Sequence, residues 1–239
     1  DCPVCDQAGE CWLQIYYMQH GLYEPRMIDD KVHQPKAVPI GPHVMLDAER
    51  CILCSRCVRF CDTITKTGEL GIFNRGDHSE LGLFPGTALD NAYSGNVVDI
   101  CPVGALTDRD FRFQARVWYL DRGKSICPGC ARGCNIEVHT NTKRTHHAAG
   151  RRVVRLKPRF NAAVNHWWIC DEGRYGFGEV DAPTRIERPE LREGGSARPL
   201  SWEEAVAALA DGLRAARPEN TGVLLPPRLT NEDPRVARR

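Results

Sequence analysis

Apolar positions along this chain come in short, interrupted runs whose spacing changes several times. Between Glu10 and His20 the apolar Trp12, Leu13, Ile15, Tyr16 and Tyr17 precede Gly21, which predicts a helix ended by a glycine. These residues fall on more than one face, so the helix is expected to be buried between neighbours. Residues 22–50 hold prolines at 25, 35, 39 and 42 and predict a long covering loop with a short strand at Val44-Met45-Leu46-Asp47. Val58 to Ile64 predicts a short helix, and Leu70-Gly71-Ile72-Phe73 opens a stretch of short strands and turns that reaches Ser94-Gly95. Alternation in Asn135–His139 and Arg152–Leu156 predicts two paired strands around a polar loop, Thr140 to Gly150, in which His146-His147 are solvated. From Pro183 the chain becomes a Pro-, Gly- and Arg-rich linker. Ser201-Trp202-Glu203-Glu204 then forms a capping box ahead of Ala205, Val206, Leu209 and Leu213 at helical spacing. Gly222-Val223-Leu224-Leu225 is expected to be the first strand of an α/β domain.

The longest apolar stretch, Val97 to Val103, is interrupted by Asp99 and falls far short of the roughly 20 residues that cross a bilayer. A length of 239 residues suits one or two ordinary domains, and a net charge of +1 points to neither nucleic acid nor a polyanion partner. The chain opens on Asp1-Cys2 inside a cysteine motif and stops at Val236-Ala237-Arg238-Arg239, and it is read as an internal fragment of a longer protein.

Twelve cysteines change the picture, because they are bunched at spacings of three rather than spread as in a disulfide scaffold. That bunching favours a reducing compartment. Cys51-Ile52-Leu53-Cys54-Ser55-Arg56-Cys57, answered by Cys101-Pro102, places three thiolates on a turning loop with a distant fourth, the pattern of a [4Fe-4S] site. Zinc knuckles, the competing reading, come as two separated pairs. An earlier array, Cys2-Pro3-Val4-Cys5 with Cys11, is one ligand short of a closed site. Candidates for the fourth inside the chain are His20 and Cys61, although His20 reads better as a histidine paired with a helix end. Cys61 is either a ligand to a neighbouring cluster or a small buried hydrophobe, the second being favoured. A third array, Cys127-Pro128-Gly129-Cys130-Ala131-Arg132-Gly133-Cys134 with Cys170, suits a cluster or, taken alone, zinc. Arg56, Arg59, Lys124 and Arg132 lie beside ligands and either offset cluster charge or are simply solvated. No nucleotide fingerprint, phosphate loop or nucleophile-base pair is present, so the sites suit electron transfer better than bond chemistry.

The segments Asp1-Cys2-Pro3-Val4-Cys5-Asp6-Gln7-Ala8-Gly9-Glu10-Cys11, Cys51 to Arg59, and Ser94-Gly95-Asn96-Val97-Val98-Asp99-Ile100-Cys101-Pro102-Val103-Gly104-Ala105-Leu106 resemble the large iron-sulfur subunit of bacterial respiratory complex I, the NADH:quinone oxidoreductase. The resemblance implies a [4Fe-4S] cluster with one histidine and three cysteine ligands, the cysteines being Cys2, Cys5 and Cys11 and the histidine falling upstream of Asp1. It also implies a [2Fe-2S] domain still further upstream. The family's partners would be a flavin-bearing NADH-oxidising subunit and further iron-sulfur subunits, at the cytoplasmic side of the inner membrane in a peripheral arm. Membrane association would come only through partner subunits.

The third array, with Arg155 to Asn161 and Val164 to Arg174, resembles the additional cluster domain of some members of this family, which also opens the molybdopterin oxidoreductases. A molybdenum-dependent formate dehydrogenase is therefore a competitor, and a structural zinc-binding module is another. The former usually carry a lysine two residues after the fourth cysteine, where this chain has Glu172, a departure that favours the complex I subunit. The expected organisation is α+β. A ferredoxin-like double-cluster domain over residues 1–120 precedes a small β-rich cluster domain over 121–182. A linker and the start of a molybdopterin-oxidoreductase-like α/β domain occupy 183–239. The third site is expected to lie off the main electron path.

Overall fold

The structure, a computed structural model, describes residues 2–226 together with Leu229 and Arg235. Asp1 of the first motif and the terminal Val236-Ala237-Arg238-Arg239 lie outside the described residues. The chain divides into two compact units, Asp1–Gly178 and Glu179–Arg239, so the segments on either side of residue 120 share one unit.

In chain order the first unit contains α1 (Trp12–His20), β1 (Val38–Pro39), β2 (Val44–Leu46), α2 (Arg56–Phe60), a π-helical turn (Cys61–Thr65), β3 (Leu70–Phe73), β4 (Glu80–Leu83), α3 (Asn96–Ile100), β5 (Leu106–Asp108), β6 (Asp121–Ile126), β7 (Asn135–Thr140), β8 (Val153–Pro158) and α4 (Asp171–Tyr175). Three small antiparallel sheets result, ordered β1-β2-β5, β3-β4 and β6-β7-β8. The expected pairing of the strands around the Thr140 to Gly150 loop is present as β7 against β8, with Val138 opposite Leu156. The polar β6 joins them on the far side of β7. Its sequence, Asp-Arg-Gly-Lys-Ser-Ile, has no apolar alternation because this edge strand is held by backbone pairing while its side chains stay largely exposed.

The core of the first unit is built from Ile40, Val44, Leu46, Cys57, Phe60, Cys61, Leu70, Leu81, Leu89, Val97 and Leu106, and Cys51 and Cys101 pack against it. A satellite cluster of Phe111, Ala115, Val117, Leu120, Ala148 and Val154 fastens the segment after β5 to β8. The helix predicted over Glu10–His20 forms, but it is not buried: Trp12, Leu13, Tyr16, Tyr17 and Met18 are each about half exposed. Its apolar residues are spread around the axis and make no single stripe to dock. Trp12 and Tyr16 pack on each other instead, as do Tyr17 and Tyr23.

In the second unit the predicted linker contains a hairpin, β9 (Glu190–Glu193) with β10 (Ser196–Pro199), and α5 (Trp202–Ala215) follows. The capping box is present in full: Ser201 Oγ accepts from Glu204 N at 3.1 Å, and the Glu204 carboxylate accepts from Ser201 N at 2.8 Å. The strand expected at Gly222-Val223-Leu224-Leu225 does not form. A strand needs a neighbouring edge to satisfy its backbone, and no described residue pairs with this segment.

Candidate functional site

The second cysteine set is the most completely assembled. Cys51, Cys54, Cys57 and Cys101 line one pocket with Ile52, Leu53, Ile72, Leu81, Ala105 and Leu106. The cavity between its walls is narrow, about 20 Å³, which is room for about one water. Leu53 and Ser55 both sit in the left-handed region, at φ 53° and 58°, which curls Cys51–Cys57 around the pocket. Each such residue costs on the order of 1–2 kcal/mol, and persists because the core below fixes the loop. Burial pushes the Cys57 thiol up to about 12, with Cys101, Cys51 and Cys54 adding to the shift. Cys51, Cys57 and Cys101, all raised by burial, stay protonated alone, so any metal body bound here would displace their protons. Cys51 Sγ also accepts from Leu53 N at 3.4 Å, the kind of N–H···S contact that tunes iron-sulfur potentials.

The third set is carried by the β6–β7 turn and the N-terminus of α4. Cys127 N donates to Cys134 O at 2.8 Å, closing the turn, and Cys170 Sγ accepts from Gly173 N at 3.4 Å. A Cβ on Gly173 would lie 3.0 Å from Cys127 Sγ and 3.4 Å from Cys170 Sγ, so the glycine lets these two sulfurs approach. Burial raises the Cys127 thiol, with Cys170 and Cys130 next to it adding to the effect. Cys134 is raised by burial too, partly offset by the Arg132 guanidinium, which also donates to Val164 O at 2.9 Å. Of the other basic residues noted beside ligands, Arg56 lines the second pocket while Arg59 and Lys124 are exposed.

The first set lies on a pinned loop. Arg116 donates to Cys5 O and Pro3 O, each at 2.8 Å, the Asp6 carboxylate accepts from Phe113 N at 2.8 Å, and Trp12 N donates to Pro102 O at 2.9 Å. Cys5 is buried, Cys11 half-buried and Cys2 exposed. Cys5 Sγ rests against Gly104, where any Cβ would overlap it, so the first array shares a wall with the turn that follows Cys101. His20 is exposed at the end of α1. Cys61 is wholly buried in the core beside Glu69, in line with the hydrophobe reading. Among the described residues no three Cys, His, Asp or Glu side chains converge on a point as a single ion requires. The four cysteines of the second set instead share the lining of one pocket.

Sequence reasoning treated Ser94-Gly95-Asn96 only as part of a family motif, whereas the structure gives it a task. Asn96, fully buried, exchanges hydrogen bonds with the backbone of Ile169, donating to its O at 2.7 Å and accepting from its N at 3.1 Å. The Asp171 carboxylate accepts from Ser94 Oγ at 2.6 Å and Gly95 N at 2.9 Å. Arg174 pairs with Asp99, and Phe60 packs on Trp168 with ring centroids 4.8 Å apart. The segment that bears Cys170 is thereby docked on the segment that leads to Cys101. The signal available in the sequence was only the run Ser94-Gly95-Asn96 a few residues ahead of Cys101.

Three family models match the chain. They describe the NADH-ubiquinone oxidoreductase-G iron-sulfur binding region over residues 1–26, the ferredoxin-like domain of NADH-quinone oxidoreductase subunit 3 over 41–107, and the molybdopterin oxidoreductase Fe4S4 domain over 121–182. The G subunit of the NADH-quinone oxidoreductase of Streptomyces coelicolor is 41% identical over 234 residues, which cover 98% of this chain and 27% of the relative. NADH-quinone oxidoreductase subunit 3 of Thermus thermophilus is 37% identical over 238 residues, 94% of this chain and 29% of its own. Among solved structures, an NAD+-reducing [NiFe]-hydrogenase in the H2-reduced state matches loosely, at 32% identity and a TM-score of 0.42 over 48% of this chain and 50% of its own. The chain thus spans a little over a quarter of the length of the curated relatives it matches. With iron-sulfur domain models matched in order along it and such identity over nearly all of its length, the chain belongs to the family of NADH-quinone oxidoreductase G subunits.

Proposed function

We propose that this chain is an electron-relay segment of an NADH:quinone oxidoreductase with three [4Fe-4S] sites. They are Cys51, Cys54, Cys57 and Cys101; Cys127, Cys130, Cys134 and Cys170; and Cys2, Cys5 and Cys11 with a histidine from outside the chain. The observation that carries this reading is the single pocket that all four cysteines of the second set line together with apolar side chains. When bound, the clusters would supply one-electron transfer without an open coordination position for substrate. The chain's own residues hold the thiols in place, keep water from the inner wall of the second pocket through Leu81 and Leu106, and aim backbone N–H groups at sulfur. Electrons would arrive from a flavin-bearing NADH-oxidising partner and leave through other iron-sulfur subunits toward quinone. No described helix is long and apolar enough to cross a membrane, which suits a peripheral arm on the cytoplasmic side attached through partners. The division at residues 120 and 182, and a molybdopterin-like continuation after 183, belong to the same proposal. Glu172, exposed beside the third set, stands where a pterin-bridging lysine would be needed, and weighs against formate dehydrogenase.

The test is iron, sulfide, zinc and molybdenum content on anaerobically purified full-length protein, with low-temperature EPR after reduction. Iron and sulfide matching several clusters without molybdenum is the expected result. Stoichiometric molybdenum would move the assignment to formate dehydrogenase, and zinc without sulfide would overturn both redox readings.

A further inference from the structure

Between the loop of the first set and the helix that leads to Cys101 lies a polar chamber lined in part by Gln7, Glu10, Asp99, Arg155, Lys157 and Arg174. Its cations come from β8 and α4, the region that carries the third site. Two carboxylates face it as ion-pair partners. Glu10, next to Cys11, is clamped by Arg155 through two hydrogen bonds of 3.0 and 2.6 Å. Asp99, two residues before Cys101, is paired with Arg174. Each carboxylate therefore has its own guanidinium.

Lys157 is a further cation set between them, its Nζ 3.4 Å from Asp99 Oδ1 and 3.9 Å from Glu10 Oε1. Of the ion pairs among the described residues, only those of Lys157 join the two carboxylates. Asp6 and Asp108 complete the acidic lining, and each is held by backbone amides, Asp6 by Phe113 and Asp108 by Asp110 and Phe111. Arg122 reaches Glu10 from the solvent side at 3.8 Å.

We infer that Lys157 is a positioning residue for electron transfer: its ammonium, held between Glu10 and Asp99, eases reduction of the sites on either side of it. The inference rests on the cluster assignment proposed above. When such a site takes one electron from its donor, the core passes from 2+ to 1+, and the added negative charge is stabilised by a fixed nearby cation whose own charge does not change. The third region would then serve the relay by supplying this charge, whatever path its own cluster takes.

The test uses the cluster-loaded full-length protein and its K157Q, K157E and K157R variants, with an EPR-monitored redox titration of each cluster signal and iron and sulfide measured alongside. The expected result is midpoint potentials of the first and second sites that fall in K157Q, fall further in K157E and stay near the parent in K157R. K143Q, which alters an exposed lysine paired with Asp121, should change nothing. If the parent shows no cluster signal, the relay reading itself fails. If the parent loads and the three variants keep its potentials, the relay stands and the role of Lys157 is overturned. Should K157Q fail to load, K157R decides: loading that survives there supports a need for charge, and loading lost there makes Lys157 a packing residue.

Discussion

The second and third cysteine sets use the same ligand chemistry on different foundations. The second sits on the main core, with Cys57 buried, apolar walls above it and a thiol pushed up to about 12 by burial and its neighbours. The third hangs from a strand turn at a sheet end, with Cys127 and Cys134 buried but Cys130 exposed and Glu172 in solvent beside it. What surrounds four thiols, more than the thiols themselves, therefore decides how dry a site is and how easily it can be lost.

The largest effects that would break this contrast come from the ligands. Cys101→Ser should remove about four irons per chain and the EPR signal of the second site, while Cys170→Ser should remove as many and leave that signal in place. Loss of both signals in either variant would show that the sites are not separate. Asp99→Asn should cost about 3–5 kcal/mol, because Arg174 is left buried without its anion, and thermal melting of the chain reads this directly. Gly104→Ala should cost about 1–3 kcal/mol by forcing Cys5 away, and iron analysis should show a loss confined to the first set. Gly173→Ala, with a looser 3.0 Å approach to Cys127, should cost less and act on the third set alone.

A smaller effect belongs to His139, a buried histidine whose Nδ1 accepts from Arg155 Nε at 3.0 Å. Burial first, then Arg155, Lys157 and Arg122, depress it to about 3, so the folded chain keeps it neutral. The unfolded chain takes up that proton below about pH 6.5, so stability is full above that value and is lost toward pH 3, at up to about 1.4 kcal/mol per pH unit. His139→Gln should flatten the dependence of melting temperature on pH from 6.5 to 4. The acid limb below about pH 4 should remain, since Arg174 and Lys157 outweigh burial at Asp99, as Lys157 and Arg155 do at Glu10, and hold both carboxyls low. The smallest change in stability is expected on alkylation of the cluster-free chain: exposed Cys130 should react with iodoacetamide well before buried Cys57, with mass mapping of the products as the check.

Much of this was legible in the sequence because cysteine spacing is a local signal. The loop from Cys51 to Cys57, the turn from Cys127 to Cys134 and the capping box at Ser201 each depend on residues only a few positions apart. What the sequence hid was non-local. The burial expected of α1 needed a neighbour that the spread of Trp12, Tyr16 and Tyr17 does not select, and β6 is held by backbone pairing that leaves no pattern in its side chains. The hairpin at Glu190–Pro199 was concealed by its charged composition, and apolar Gly222–Leu225 promised a strand for which no described edge exists. Lys157 and Asn96 act across gaps in the chain that no window of sequence spans.

The bond from Asn96 to Ile169 also sets a clock on synthesis. Its partners are 73 positions apart, so at translation rates of about 5–20 residues per second Asn96 precedes Ile169 by roughly 4–15 s. Small elements collapse within microseconds, so the walls around Cys101 can form long before the segment bearing Cys170 arrives to cover them. During that interval Ser94, Gly95 and Asn96 lack the Asp171 and Ile169 partners they bond in the finished fold.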